Sequence, residues 1–92
     1  MITAIVFVKA DVARIPEVAQ QIADLAAVSE VYSVTGTIDL IALVRVRTID
    51  EVAVAVADQV NKVPGVEGTE THIAFRAYST LDLEAAFAIG AG

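Results

Sequence analysis

The chain has 92 residues, 57% of them hydrophobic, with 12 acidic and 6 basic side chains, one histidine and no cysteine. That length supports one domain and one core. The composition excludes disulfides, thiolate metal sites, cysteine nucleophiles and a His-rich metal site within one subunit, and the scattered bases (Lys9, Arg14, Arg45, Arg47, Lys62, Arg76) disfavour direct nucleic-acid binding, which needs a clustered positive footprint.

Residues 2–9, ITAIVFVK, are rich in Ile, Val and Phe and read as a first strand, apolar on both faces and therefore covered on both. The N-terminal segment MITAIVFVKAD has no basic n-region and no small-residue cleavage site, so it does not read as a signal peptide. Lys9, Asp39 and Arg45 interrupt the longest apolar runs before any reaches the roughly 18–20 residues that cross a bilayer. The cytoplasm is the expected compartment, with no membrane partner. So much apolar surface in so short a chain calls for self-association.

ARIPEVAQQIADLAAV follows, with Ile15, Val18, Ile22 and Leu25 at helical spacing and Pro16-Glu17 in the first turn. VSEVYSVTG reads as a second strand ending at Gly36, and IDLIALVRV as a third, joined by a tight hairpin. Thr48 caps a second helix, with Glu51 placed to complete a capping box, and its apolar stripe is Val52, Val56, Val60 and Val63. Pro64-Gly65 ends it. GTETHIAFRAYS, residues 68–79, reads as a fourth strand, with Thr69, Thr71, Ile73 and Phe75 on one face and Glu70, His72, Ala74 and Arg76 on the other. The domain therefore spans residues 1–78. Residues 79–92 form a tail whose apolar side chains suit a short helix near 82–89, docked on the domain or on a neighbouring subunit.

The order β-α-β-β-α-β predicts an α+β ferredoxin-like fold: a four-stranded antiparallel sheet with two helices on one face. Glu17-Val18-Ala19 recurs as Glu51-Val52-Ala53, an offset that fits either a repeat of the two halves or chance between two alanine- and valine-rich helices. The second sheet face carries Ile5, Phe7, Ile41 and Leu43 or their alternates. A homodimer packed sheet to sheet, in the manner of a dimeric α+β barrel, buries that face.

Little in the sequence supports catalysis. His72 beside Glu70 reads as a general base or as a polar residue on a half-exposed strand, the latter being the simpler reading. Tyr32 and Tyr78 read as packing residues, and Glu67, Glu70 and Asp39 as unrelated surface carboxylates rather than a metal cluster. No catalytic residue, metal or cofactor is assigned. The turn is different. Gly36 accommodates a positive φ, and Thr35, Gly36, Thr37 and Ile38 carry backbone N–H groups that the hairpin need not consume. Such donors hold a carboxylate, and Asp39 accepts from an ammonium. With Thr69-Glu70-Thr71, the pattern fits recognition of a small zwitterion, an α-amino acid. On pattern alone, a plain hairpin with a solubilising Asp and β-forming threonines is the simpler reading.

VYSVTGTIDLIALVRV followed by VNKVPGVEGTETHIAF resembles the effector-sensing half of the Lrp/AsnC transcription regulators, the RAM domain, over roughly residues 2–78. The shared pattern is a strand ending in Val-x-Gly, a short turn, Asp and an apolar strand, then a Pro-Gly-Val step into a Thr-rich last strand. The resemblance implies a dimer assembled further into octamers or similar rings, with amino-acid effectors between dimers near the turn. Gly36 and Asp39 match the motif positions, and Thr69 and Thr71 the polar positions of the last strand. Thr37 and Ile38 occupy variable turn positions, where the family often has an acidic or amide residue and then an aromatic. The DNA-binding helix-turn-helix of full-length members is expected to be absent, because Met1 runs straight into strand one. The implied protein is a stand-alone, non-enzymatic module binding amino acids through Gly36, Thr37, Ile38, Asp39, Thr69 and Thr71. It would regulate transcription indirectly, for instance by co-assembling with full-length regulators. The alternatives are a small dimeric enzyme of the cofactor-free monooxygenase or isomerase type and an ACT-like regulatory subunit, which pairs sheets edge to edge.

Overall fold

A computed structural model of the chain describes residues 1–80; the expected tail helix and its docking lie outside the described residues. Strand β1 (Ile2–Ala10) leads through a 3-10 turn (Val12–Arg14) into helix α1 (Ile15–Ala23). Strands β2 (Val28–Ser33) and β3 (Leu40–Val46) follow. Helix α2 (Ile49–Ala53) continues through a π-helical stretch (Val54–Gln59) and a 3-10 turn (Val60–Lys62) before strand β4 (Val66–Ala74). The strands form one antiparallel sheet in the order β2-β3-β1-β4, the ferredoxin-like α+β arrangement.

Local chemistry explains the helix boundaries. The Asp11 carboxylate accepts from the Ala13 N–H at 3.0 Å, and Pro16 and Glu17 occupy the first turn of α1. Thr48 Oγ1 accepts from the Glu51 N–H at 3.2 Å, the expected cap of α2. The reciprocal half of the box differs, because the Glu51 carboxylate accepts from the Thr48 hydroxyl at 3.3 Å. The buried stripe of this second helix also differs from the expected one. Val52, Ala55, Val60 and Val63 are buried and Val56 is only partly so. The π-helical stretch widens the turns, so the step from Ala55 to Val60 spans a residue more than an α-helical step.

Pro64-Gly65 stops the helix as expected. The Val66 N–H donates to the Val63 carbonyl at 3.1 Å across the pair, and Gly65 has φ +99°, the type II pattern of Pro then Gly. A Cβ on Gly65 would lie 2.6 Å from Val18 Cγ2. Gly65→Ala therefore meets both a disfavoured φ and a core side chain. It is expected to cost about 1–3 kcal/mol, read as a lowered urea midpoint with unchanged m-value.

Alternation sorts the sheet into two faces. Ala4, Val6, Val8 and Ala10 of β1 and Leu40, Ala42, Val44 and Val46 of β3 are buried, with Val18 and Ile22 of α1 and Val52 of α2 in the same core. Val18 and Val52, equivalent in the two Glu-Val-Ala segments, thus hold equivalent core places. On the opposite, open face, Ile5 pairs with Leu43 and Phe7 with Ile41, so these four apolar side chains form one block. All four are half-buried.

Several strand boundaries differ from the sequence reading. Strand β2 ends at Ser33 rather than Gly36, and β3 begins at Leu40 rather than Ile38. The Val34 N–H donates to the Asp39 carbonyl at 3.0 Å, closing a loop in which Gly36 has φ +116°. That backbone turns residues 35–38 out of the sheet although their side chains suit a strand. Strand β4 ends at Ala74, short of residue 79. Its neighbour β1 begins at Ile2, Thr3 already pairs with Ala74, and beyond it no ladder remains. Phe75, expected to point with Ile73, is 97% exposed.

Candidate functional site

The loop at residues 34–39 stands at the C-terminal end of β1, because β3 runs beside β1 and brings Leu40 opposite Val8. The Asp39 N–H donates to the Val8 carbonyl at 2.9 Å. One residue pair further, the chain has left the sheet, and the Ala10 N–H has no strand partner on that side. The Asp39 carboxylate replaces it: Oδ2 accepts from the Ala10 N–H at 2.9 Å. The same oxygen lies 3.6 Å from Lys9 Nζ. The Asp39 side chain is only 17% exposed, the Lys9 side chain 50%. The aspartate that the sequence marks as charged at the mouth of a strand is therefore a fixed internal acceptor, and it anchors an ammonium group that reaches solvent.

Beside this pair lies an open cleft of about 450 Å³, lined by Phe7 and Lys9 of β1, Thr37 and Ile38 of the loop, and Gly68, Thr69 and Glu70 of β4. Register explains the grouping: Lys9 pairs with Gly68 and Phe7 with Glu70, so these four share the open face. Of the residues marked in the sequence, Thr37, Ile38 and Thr69 come together here. Gly36 shapes the loop, and Asp39 stands behind Lys9. The Thr69 hydroxyl donates to Asn61 Oδ1 at 2.6 Å, toward the end of the second helix. Thr71 pairs with buried Val6 and lies on the helix-covered face, in a groove with Ile49, Val52 and Val56. It does not line the cleft. Among the described residues, no backbone carbonyl takes the N–H groups of residues 35–38, which lie in no strand.

Phe7, Lys9 and Gly68 escaped the sequence reading as site residues, and Glu70 entered it only as the middle of the Thr69-Glu70-Thr71 cluster. Their signal was present in part: Lys9 has the parity of Thr3, Ile5 and Phe7, so it extends their face. Only the pairing of β1 with both β3 and β4 shows what stands next to it. Nearby, His72 Nε2 meets the Glu70 carboxylate at 2.5 Å, and its ring lies 5.0 Å from that of Phe7 at a 54° tilt. At the sheet's other edge, the Tyr32 hydroxyl donates to Glu30. That hydrogen bond, with some burial and the carboxylate's charge, raises the phenol above its usual range.

The family model for the Lrp/AsnC ligand binding domain matches residues 3–82. The chain belongs to the Lrp/AsnC family. It is 32% identical over 75 residues to the HTH-type transcriptional regulator FL11 of Pyrococcus horikoshii, covering 82% of this chain and 49% of that protein. The chain thus spans about half the length of the curated Lrp/AsnC relatives it matches. Among solved structures, TTHA0845 from Thermus thermophilus is 46% identical, with TM-score 0.81 over 86% of this chain and 99% of that one. AsnC of E. coli has TM-score 0.80 at 18% identity, over 90% of this chain and 56% of that one, and shares the fold. The cleft lies within the stretch that the Lrp/AsnC ligand binding domain model matches.

Proposed function

We propose that this Lrp/AsnC domain is a small-effector-binding and assembly module whose effector is an α-amino acid. One observation carries the reading: the cleft joins groups suited to both ends of a zwitterion. On one side are the Lys9 ammonium and the loop bearing the N–H groups of residues 35–38; on the other is the Glu70 carboxylate. Thr37, Ile38 and Thr69 line the space between, Gly36 sets the loop, and Asp39 supports it from behind. Thr71 contributes through the strand rather than through its own side chain. The block of Ile5, Phe7, Ile41 and Leu43 supports a homodimer packed face to face, and the cleft opens at the rim of that same face, where further subunits of a ring close it. Regulation is indirect, through co-assembly with full-length Lrp/AsnC regulators in the cytoplasm.

An enzymatic role has less to stand on. Among the described residues no polar or charged side chain is buried, and the space between sheet and helices is filled by Ala, Val, Leu and Ile. Among those residues, too, no helix is long and apolar enough to cross a membrane.

A thermal-shift screen of the twenty amino acids tests the reading. A ligand at a hundred times its Kd stabilises by about 2.7 kcal/mol, which raises Tm by roughly 10–20 °C in a domain of this size. At least one amino acid is expected to do so. No rise with any of them contradicts an amino-acid effector.

A further inference from the structure

The Asp39 carboxylate is the acidic group that the loop sequence offers to a ligand's amine, yet its Oδ2 already accepts from the Ala10 N–H and faces Lys9. An incoming ammonium would have to share that mostly buried carboxylate with a cation of this chain. The Lys9 ammonium is in the opposite position. At 3.6 Å it is held by charge, beyond ordinary hydrogen-bond length, and no hydrogen bond among the described residues takes its three donors. It lines the cleft and is half exposed. We infer that Lys9 binds the carboxylate of the ligand, with Asp39 as its positioning residue, and that Glu70, whose Oε2 meets His72 Nε2 at 2.5 Å, accepts from the ligand's amine through Oε1. The inference rests on the amino-acid reading above and assigns its charged contacts.

Geometry supports this division. Lys9 pairs with Gly68 and Phe7 with Glu70, so Lys9 and Glu70 are diagonal neighbours on one face of an antiparallel pair. Such positions lie about 7–8 Å apart at the backbone, a separation that flexible side chains adjust to the two charged ends of an α-amino acid. Phe7 and Gly68 flank this diagonal on the same face. The loop N–H groups add neutral donors on the Lys9 side, where a carboxylate takes several hydrogen bonds at once.

Isothermal titration of the full chain with each of the twenty amino acids tests the assignment, using wild type, Lys9→Met and Lys9→Arg. Lys9→Met keeps the length of the stem and removes the charge, and Asp39 retains the Ala10 N–H. For every amino acid that binds wild type, Lys9→Met is expected to raise Kd about tenfold or more, the usual weight of a hydrogen bond to a charged group. Lys9→Arg is expected to recover most of the loss. A second readout separates contact from mere support: the α-amide of the same amino acid, lacking the carboxylate charge, should bind wild type more weakly and lose nothing further in Lys9→Met. If wild type binds an amino acid and Lys9→Met binds it equally, or if the amide and the acid lose affinity alike in Lys9→Met, the Lys9 assignment is overturned while the amino-acid reading stands. If wild type binds none of the twenty, both fall.

Discussion

Asp39→Ala is expected to lower the stability of the fold by about 1–3 kcal/mol, the usual cost of leaving a partly buried donor without its acceptor. The donor is the Ala10 N–H, which gives its hydrogen bond to Asp39 Oδ2 at 2.9 Å. The substitution also removes the fixed charge under Lys9, 3.6 Å away. The ion pair itself adds little, because Lys9 is half exposed and solvent screens it. The two contributions separate in a second variant. Asp39→Asn keeps a carbonyl oxygen for Ala10 and loses the charge, so it should retain most of the stability. Urea titration at matched protein concentration reads both variants, since association with other subunits also shifts the midpoint. Equal losses in the two variants would mean that the charge rather than the hydrogen bond carries the effect. No loss in either would mean that the end of β1 does not depend on Asp39.

Leu43→Glu is expected to have the largest effect on assembly. Leu43 sits opposite Ile5 on the open face, beside the Phe7–Ile41 pair. These four residues form a contiguous apolar surface of the kind that subunits cover. In a face-to-face dimer, a glutamate there is an unpaired charge in an apolar interface, costing about 3–5 kcal/mol. That raises the dimer Kd by about a hundredfold or more. Light scattering of wild type at micromolar concentration should find no monomer, and Leu43→Glu should release one with its helices intact by circular dichroism. A wild-type monomer, or an unchanged assembly in Leu43→Glu, contradicts association through this face.

Much of the fold was legible because its signals are local. Alternation in ITAIVFVK, Pro16-Glu17 at a helix start, Thr48 as a cap and Pro64-Gly65 as a stop all act within a few residues, and the structure uses each of them. The family resemblance added the reading of the loop as part of an effector site. What the sequence hid depends on distance along the chain. Strand β4 stops at Ala74, opposite Thr3, where only Ile2 of β1 is left beyond the last pair, a limit that residues 75–79 do not carry themselves. The π-helical stretch shifted burial from Val56 to Ala55, and no residue in AVADQV marks that. Lys9 looked like an ordinary solvated end of an apolar strand. Its partner lies 30 positions later, and only the β1–β3 pairing brings Asp39 beneath it. Thr69 and Thr71 looked alike in sequence. The sheet register places both on the helix-covered face, yet only Thr69, at the strand's entry, reaches the cleft. The loop itself was recognisable, but its width was not. Gly36 at φ +116° ends the strand pairing earlier than the β-forming residues around it suggest, and that leaves the N–H groups of residues 35–38 outside the ladder.

The most direct measurement is a crystal structure of the chain with an amino acid that raises its Tm. The expected result is one ligand per cleft, lying against Thr37, Ile38 and Thr69, its carboxylate within hydrogen-bond distance of the loop N–H groups and of Lys9. A ligand bound elsewhere, such as the apolar groove formed by Ile49, Val52, Val56 and Thr71, would contradict a pocket built on the hairpin loop.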